Sequence, residues 1–164
     1  MTLDPVPIDP MPGADVAAVL RDALQAIGCT YPGWRPFALG WATVDLDRAE
    51  GEFAALLDGT SGTAPAPDDV LLGARCRLLH AADPTVPRLV LLEPLTEGRL
   101  AATLVRQGEG AAVAWLHPES EAQVEPRRSV PAAGPFGLEA LLLDGPIHGP
   151  YRLLVLAAPG TISP

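Results

Sequence analysis

Six short apolar runs, each bounded by turn residues, govern what this chain can fold into. They span 37–44, 73–81, 87–93, 111–117, 138–143 and 151–157. Runs of this length, punctuated by Gly, Pro or Asp, read as strands. Asp83-Pro84 separates the second from the third, and residues 144–150 form a hairpin-type loop between the last two. Three other stretches carry helical spacing. Asp15 can cap the first, with Val16, Leu20, Ala23, Leu24 and Ile27 on one face and Gly28 at its end. Asp45 or Asp47 starts the second, where Leu46, Ala49, Phe53, Leu56 and Leu57 are apolar and Gly59 is the stop. The third runs from Glu97 to Gln107, capped by Thr96 and ended by Gly108. Residues 1–13, rich in proline, are expected to be an extended arm, 31–36 a turn-rich connector, and 60–69 and 118–136 loops. The order α, βα, ββ, α, β, loop, ββ predicts an α+β domain with a mostly antiparallel sheet, with room for one more strand in each half.

Composition excludes several function classes. The 164 residues allow one domain of ordinary size. All 11 basic residues are arginine, so a Schiff-base lysine and a P-loop lysine are excluded. A net charge of −9 argues against nucleic acid and against an anionic membrane surface. No apolar run approaches the roughly 20 residues of a membrane helix. Residues 1–11 hold no basic residue, unlike a secretory signal, so a cytoplasmic location is expected. Cys29 and Cys76 form no CxxC pair and read as buried free thiols. The absence of Lys and Asn, with abundant Ala, Gly and Pro, points to a GC-rich bacterial genome. GxSxG, HExxH, GxGxxG and GxxxxGK[ST] motifs are all missing.

Two stretches resemble a known family. Ala38–Ala49 (ALGWATVDLDRA) is similar to the opening strand and helix start of the vicinal oxygen chelate superfamily, through Gly40, Ala42, Asp45, Leu46 and Asp47. Val90–Gly110 (VLLEPLTEGRLAATLVRQGEG) resembles the Leu-Leu-Glu-Pro strand, helix and Gly-Glu-Gly turn of its acyl-CoA epimerase branch, through Leu91, Leu92, Glu93, Pro94, Leu104, Gly108, Glu109 and Gly110. The resemblance implies paired βαβββ modules whose curved, mostly antiparallel sheet surrounds a cavity, here with an added N-terminal helix. It divides the chain into an arm and helix (1–36), a vicinal-oxygen-chelate-like domain (37–158) and a tail (159–164). It also implies a divalent metal. Here, however, the ligand positions fall on Ala38, Val90, Ala112 or Val113, and Leu154 or Val155. Alkyl groups offer no lone pair, so neither metal nor cofactor is expected.

Strand alternation predicts the cavity lining. Ala38 shares a face with Gly40 and Ala42, Val90 with Arg88 and Leu92, Val113 with Trp115 and His117, and Val155 with Leu153 and Tyr151. Such a wall suits a hydrophobic small molecule. Ala38, Gly40, Arg88, Val90, Leu92, Val113 and Trp115 are therefore the expected binding residues, and Tyr151, His117 and Glu139 the expected catalytic ones. Glu139, alone in an apolar strand, is the best candidate for a general base with a raised pKa if it faces inward. Trp41 is expected on the opposite face, under the second helix. Asp144 with His148, the Arg75/Arg77 pair and His80 read more simply as surface residues. Asp68-Asp69 and the carboxylates of 119–125 read as solvated loop charge. These features favour a metal-independent isomerase, cyclase or lyase acting on a hydrophobic intermediate, in secondary metabolism. The alternatives are a sequestering or self-resistance protein and a relic whose pocket is filled by side chains. A homodimer is compatible with all three.

Overall fold

The structure, a computed structural model, describes residues 15–28, 31–57, 60–119 and 125–157. The expected N-terminal arm, the C-terminal tail, Cys29 and Gly59 lie outside the described residues. Helix α1 spans Val16–Gly28, and Asp15 Oδ1 accepts the Ala18 N–H at 3.2 Å, as the sequence predicts for a capping aspartate. Helix α2 spans Leu46–Leu56. Its cap is Asp45, whose carboxylate accepts the Arg48 N–H at 3.0 Å. Helix α3 spans Arg99–Gln107 and corrects one expectation. Its N-cap is Gly98, with no side-chain cap, rather than Thr96. It ends as expected at Gly108, whose φ of 76° suits glycine.

Eight strands form one sheet among the described residues: β1 (Trp34–Ala42), β2 (Thr60–Asp69), β3 (Ala74–Ala81), β4 (Arg88–Pro94), β5 (Gly110–Pro118), β6 (Ala132–Gly134), β7 (Gly137–Leu141) and β8 (Tyr151–Ala157). Their order is β2-β3-β4-β1-β5-β8-β7-β6. β1 runs parallel to β4 and β5 parallel to β8, while the other pairings are antiparallel. Each half thus repeats one scheme, in which the first strand lies beside the last and the middle two extend outward. β1 and β5 join the halves back to back. At the free ends, the Val70 N–H donates to the Ala133 carbonyl at 3.1 Å, so the curved sheet nearly closes into a barrel.

β2 corrects the loop expected at 60–69. Its prolines at 65 and 67 are two apart, so both missing N–H groups lie on one side of the strand. β2 is an end strand with a ladder only to β3, so one side needs no donors. β6 likewise falls inside the expected loop 118–136.

The sheet has two packed faces. Outside, α2 buries Leu46, Ala49 and Phe53 against Leu39, Leu89 and Leu91 of the first half. Trp41 packs there as expected, edge-on to Phe53 with ring centres 5.1 Å apart. In the second half, no helix lies between β5 and β6 among the described residues. The N-terminal α1 covers that face instead, burying Leu20 and Leu24 in the same core as Ala114, Leu116 and Leu154. Inside lie Ala38, Val90, Leu92, Val113, Trp115 and Leu153. A register shift at Gly40/Trp41 turns both Ala112 and Val113 inward. No described helix is long and apolar enough to cross a membrane.

Candidate functional site

Glu139 sits on β7 opposite Ala132 of β6, and its side chain points into the barrel. The residue is 0% exposed. A buried carboxyl is tolerated only where hydrogen bonds replace water. Two do so here: Trp115 Nε1–H donates to Oε2 at 3.0 Å and the Phe136 N–H to Oε1 at 2.9 Å. The carboxyl also lies flat over Gly134. A Cβ at that position would come within 2.2 Å of Oε2 and 2.4 Å of the carboxyl carbon. Only glycine leaves the carboxyl its place.

Asp69 meets Glu139 from the other end of the sheet. It is the last residue of β2 and is 1% exposed, which corrects its reading as solvated loop charge. Its Oδ1 accepts the Leu72 N–H at 3.0 Å. Its Oδ2 is buried without a partner among the described residues. A proton on Glu139 is the donor that remains to serve it. Burial, then the charge of Asp69, pushes the Glu139 carboxyl up to about 8, partly offset by the Phe136 and Trp115 N–H groups. Burial raises Asp69 as well. Near neutral pH the pair therefore holds a proton that two ordinary carboxylates would have released. Cys76, a buried free thiol on β3, is pushed up by burial and by the charge of Asp69, so it stays neutral.

The other expected residues divide into three groups. Trp115 joins Glu139 directly, and an aromatic row runs on from it. Phe136 lies 5.4 Å from Trp115, Phe37 4.9 Å from Phe136, and His117 5.2 Å from Phe37. His117 is thus at the far end of that row from the acid pair. Tyr151 is buried, and its hydroxyl lies 3.3 Å from both Thr103 Oγ1 and the Ile147 carbonyl, tied to α3 and the 144–150 loop. Arg88 is exposed at the start of β4 and does not join the pair.

Ala38, Val90, Leu92 and Val113 do line the inner face, but side chains fill the space between them. Each is 0% exposed, so no water-sized gap touches them. A Cβ on Gly40 would come within 2.8 Å of the Trp115 ring and of Val113. A surface concavity of about 440 Å³ lies elsewhere, lined by Gln25, Tyr31, Trp34, Arg35 and Glu119 among others. It shares no residue with the acid pair. The residues read as surface charge are engaged as such. Arg75 pairs with Glu93 at 3.6 Å, and Arg77 with Asp47 at 2.8 Å and with Glu50. Asp144 accepts the Tyr31 hydroxyl at 3.4 Å, and His148 is exposed.

Glu93 and Glu109, both in the resembling stretches, hold the entry to α2. Glu93 Oε2 accepts the Leu46 N–H at 3.0 Å, and Glu109 Oε1 accepts from Thr43 Oγ1 and the Val44 N–H and pairs with Arg48. Those motif residues are therefore structural here.

Comparison with solved structures fits this topology. Methylmalonyl-CoA epimerase from Mycobacterium tuberculosis superposes with a TM-score of 0.56 at 19% identity, over 73% of this chain and 85% of that one. The vicinal oxygen chelate fold is the fold of this chain. A hypothetical protein from Bacillus halodurans matches with a TM-score of 0.53 at 19% identity, over 74% and 92% of the two chains. A variant of the Streptomyces coelicolor methylmalonyl-CoA epimerase, in complex with 2-nitronate-propionyl-CoA, matches with 0.52 at 23% identity, over 79% and 98%. No family model matches the sequence, and no curated protein does.

Within the vicinal oxygen chelate fold, a metal would be held from the inner face. The residues present do not fit one. Ala38, Val90, Ala112 and Val113 are alkyl groups in close contact in the inner core, and Val155 packs against it. Among the described residues, no three His, Cys, Asp or Glu side chains gather as a metal would need.

Proposed function

We propose that this chain is a small-molecule enzyme of the isomerase type, working by proton transfer between its own carboxyl groups. One observation carries the reading: Glu139 and Asp69 are both buried on the inner side of the barrel, where burial and mutual charge favour keeping one proton between them near neutral pH. A pair whose members hold different protonation states can act as acid and base at once. In the simplest cycle, Asp69 takes a proton from a carbon beside a carbonyl, and Glu139 gives its proton to the opposite face of that carbon in the resulting enolate. Transfer of the proton from Asp69 to Glu139 then restores the pair. No proton is gained or lost overall, as an isomerisation requires. The similarity to epimerases of the same fold supports the reaction class.

The substrate in this reading is a hydrophobic carbonyl compound. Trp115 and Phe136 touch the Glu139 carboxyl, Val90 and Leu92 belong to the same inner core, and no arginine is among the leading groups acting on either carboxyl. A second reading rests on the aromatic row from Trp115 to His117, which would suit sequestration of a planar molecule without turnover. Solvent-proton exchange separates the two. The protein is incubated in deuterium oxide with methylmalonyl-CoA, and separately with an uncharged phenyl ketone bearing an α-hydrogen. Mass spectrometry is expected to find label entering the ketone, and none with Glu139→Gln. Binding without label in the wild-type protein supports sequestration.

A further inference from the structure

Resting on this reading of the carboxyl pair, we propose that Glu139 and Asp69 also form a proton-dependent latch on the seam between β2 and β6, and that this seam is the way into the barrel. The geometry places the weakest line of the sheet there. Every other neighbouring pair of strands, from β2 through β3, β4, β1, β5, β8 and β7 to β6, is joined by a ladder. Across the seam, the described residues show a single backbone hydrogen bond, from the Val70 N–H to the Ala133 carbonyl. The inner residues Ala38, Val90, Leu92, Val113 and Trp115 are closed to water, so a molecule reaches them where strands part.

Glu139 is not on either seam strand, and that is the telling feature. It belongs to β7, and its carboxyl passes over β6 at Gly134 to act on Asp69 at the end of β2. The link therefore ties the second strand on one side to the first on the other. Gly134 is the gap through which it passes. Two loops hang from the same link. The Phe136 N–H holds the β6–β7 turn to Glu139, and the Leu72 N–H holds the β2–β3 turn to Asp69. Opening the seam would carry Phe136 away from Trp115 and uncover the pair.

The charges around the link leave the proton in control. The titratable neighbours are Asp68 on β2 and Cys76 on β3, the latter a neutral thiol. Arg99 of α3 donates to the Leu71 carbonyl at 2.9 Å and is exposed. With the proton in place, the two carboxyls can bond. Without it, two buried carboxylates repel, with no cation among the leading groups acting on them. Opening admits water and lets Glu139 ionise at its ordinary value of 4.5 rather than near 8. Between those values opening releases a proton, so its equilibrium constant grows by about tenfold per pH unit. Acid holds the barrel shut, and neutral to alkaline pH loosens it.

Amide hydrogen exchange of the full chain tests the latch, with rates corrected for the intrinsic pH dependence of exchange. The Val70 amide is expected to exchange faster than those of β1 and β4 at every pH. Its protection should fall by about tenfold per unit from about pH 5 to 8 and then level off. In Glu139→Gln the slope over that range should flatten, and in Asp69→Asn, usable if the first variant folds poorly, it should level off at a lower pH, because burial alone then raises Glu139. Equal protection of Val70 and the β1/β4 amides would overturn the proposal, because the seam would then open only with global unfolding. So would a Val70 protection that does not change with pH. The readout is independent of turnover. A working latch with no deuterium wash-in would leave this inference standing and remove the isomerase reading.

Discussion

The two halves of the barrel share one topology and solve their packing differently. The first half is self-sufficient. Its own crossover helix, α2, covers its outer face, and its two outer strands, β2 and β3, pair over most of their length. The second half borrows α1 from the N-terminal side for cover, and its outermost strand, β6, is three residues long. The borrowed cover restores the outer core, but the short β6 leaves the seam thin. The buried acid pair sits at this thin place. The repeat supplies the scaffold, and the departure from it coincides with the buried acid pair.

The largest expected effect distinguishes the acid pair from the rest of the core. Glu139 has a raised folded value, so the folded protein binds a proton that the unfolded chain releases above 4.5. Stability is then greatest at low pH within this window and is lost as pH rises toward about 8. The loss is about 4 kcal/mol from pH 5 to 8 at most, at about 1.4 kcal/mol per unit. Urea unfolding across that range should show it, and the Glu139→Gln profile should be nearly flat. A flat wild-type profile would dissolve the contrast between the halves.

Gly134→Ala should come next. Its new Cβ would meet the Glu139 carboxyl at 2.2 Å, and β6 would have to move. A loss of about 3 kcal/mol is expected from overpacking together with a broken buried network. Trp115→Phe keeps most of the ring but removes the N–H that serves Oε2. The expected cost is about 2 kcal/mol, with Glu139 raised further because a donor to its charged form is gone. The smallest effect belongs to the self-sufficient half and has the opposite sign. Gly51 lies inside α2 with open space around a would-be Cβ. Gly51→Ala should stabilise by about 0.5–1 kcal/mol, read as a rise in melting temperature.

Much of this architecture was legible in the residues. Helical spacing placed α1 at its Asp15 cap and left α2 between Asp45 and Asp47, of which Asp45 is the cap. Alternation assigned Ala38, Val90, Val113, Trp115 and Leu153 to one face, and they share one core. It could not give the volume between them, since a period of two fixes direction but says nothing of how deeply Trp115 fills the barrel. Glu139 could be singled out because one carboxylate in Leu138–Leu143 has no apolar reason to be there. Asp69 could not. Two prolines disguised β2 as a loop, and a carboxylate on a loop reads as solvated. Gly134 carried a signal only in retrospect, since it sits two residues before Phe136 in a stretch dominated by Pro, Ala and Gly.

The direct test of the central claim is the titration of Glu139 itself, followed by the 13C shift of its side-chain carboxyl between about pH 4 and 9. A midpoint near 8 is expected in the wild-type protein, and a lower one in Asp69→Asn because a neighbouring negative charge is gone. A midpoint near the ordinary 4.5, unmoved by that substitution, would contradict the claim.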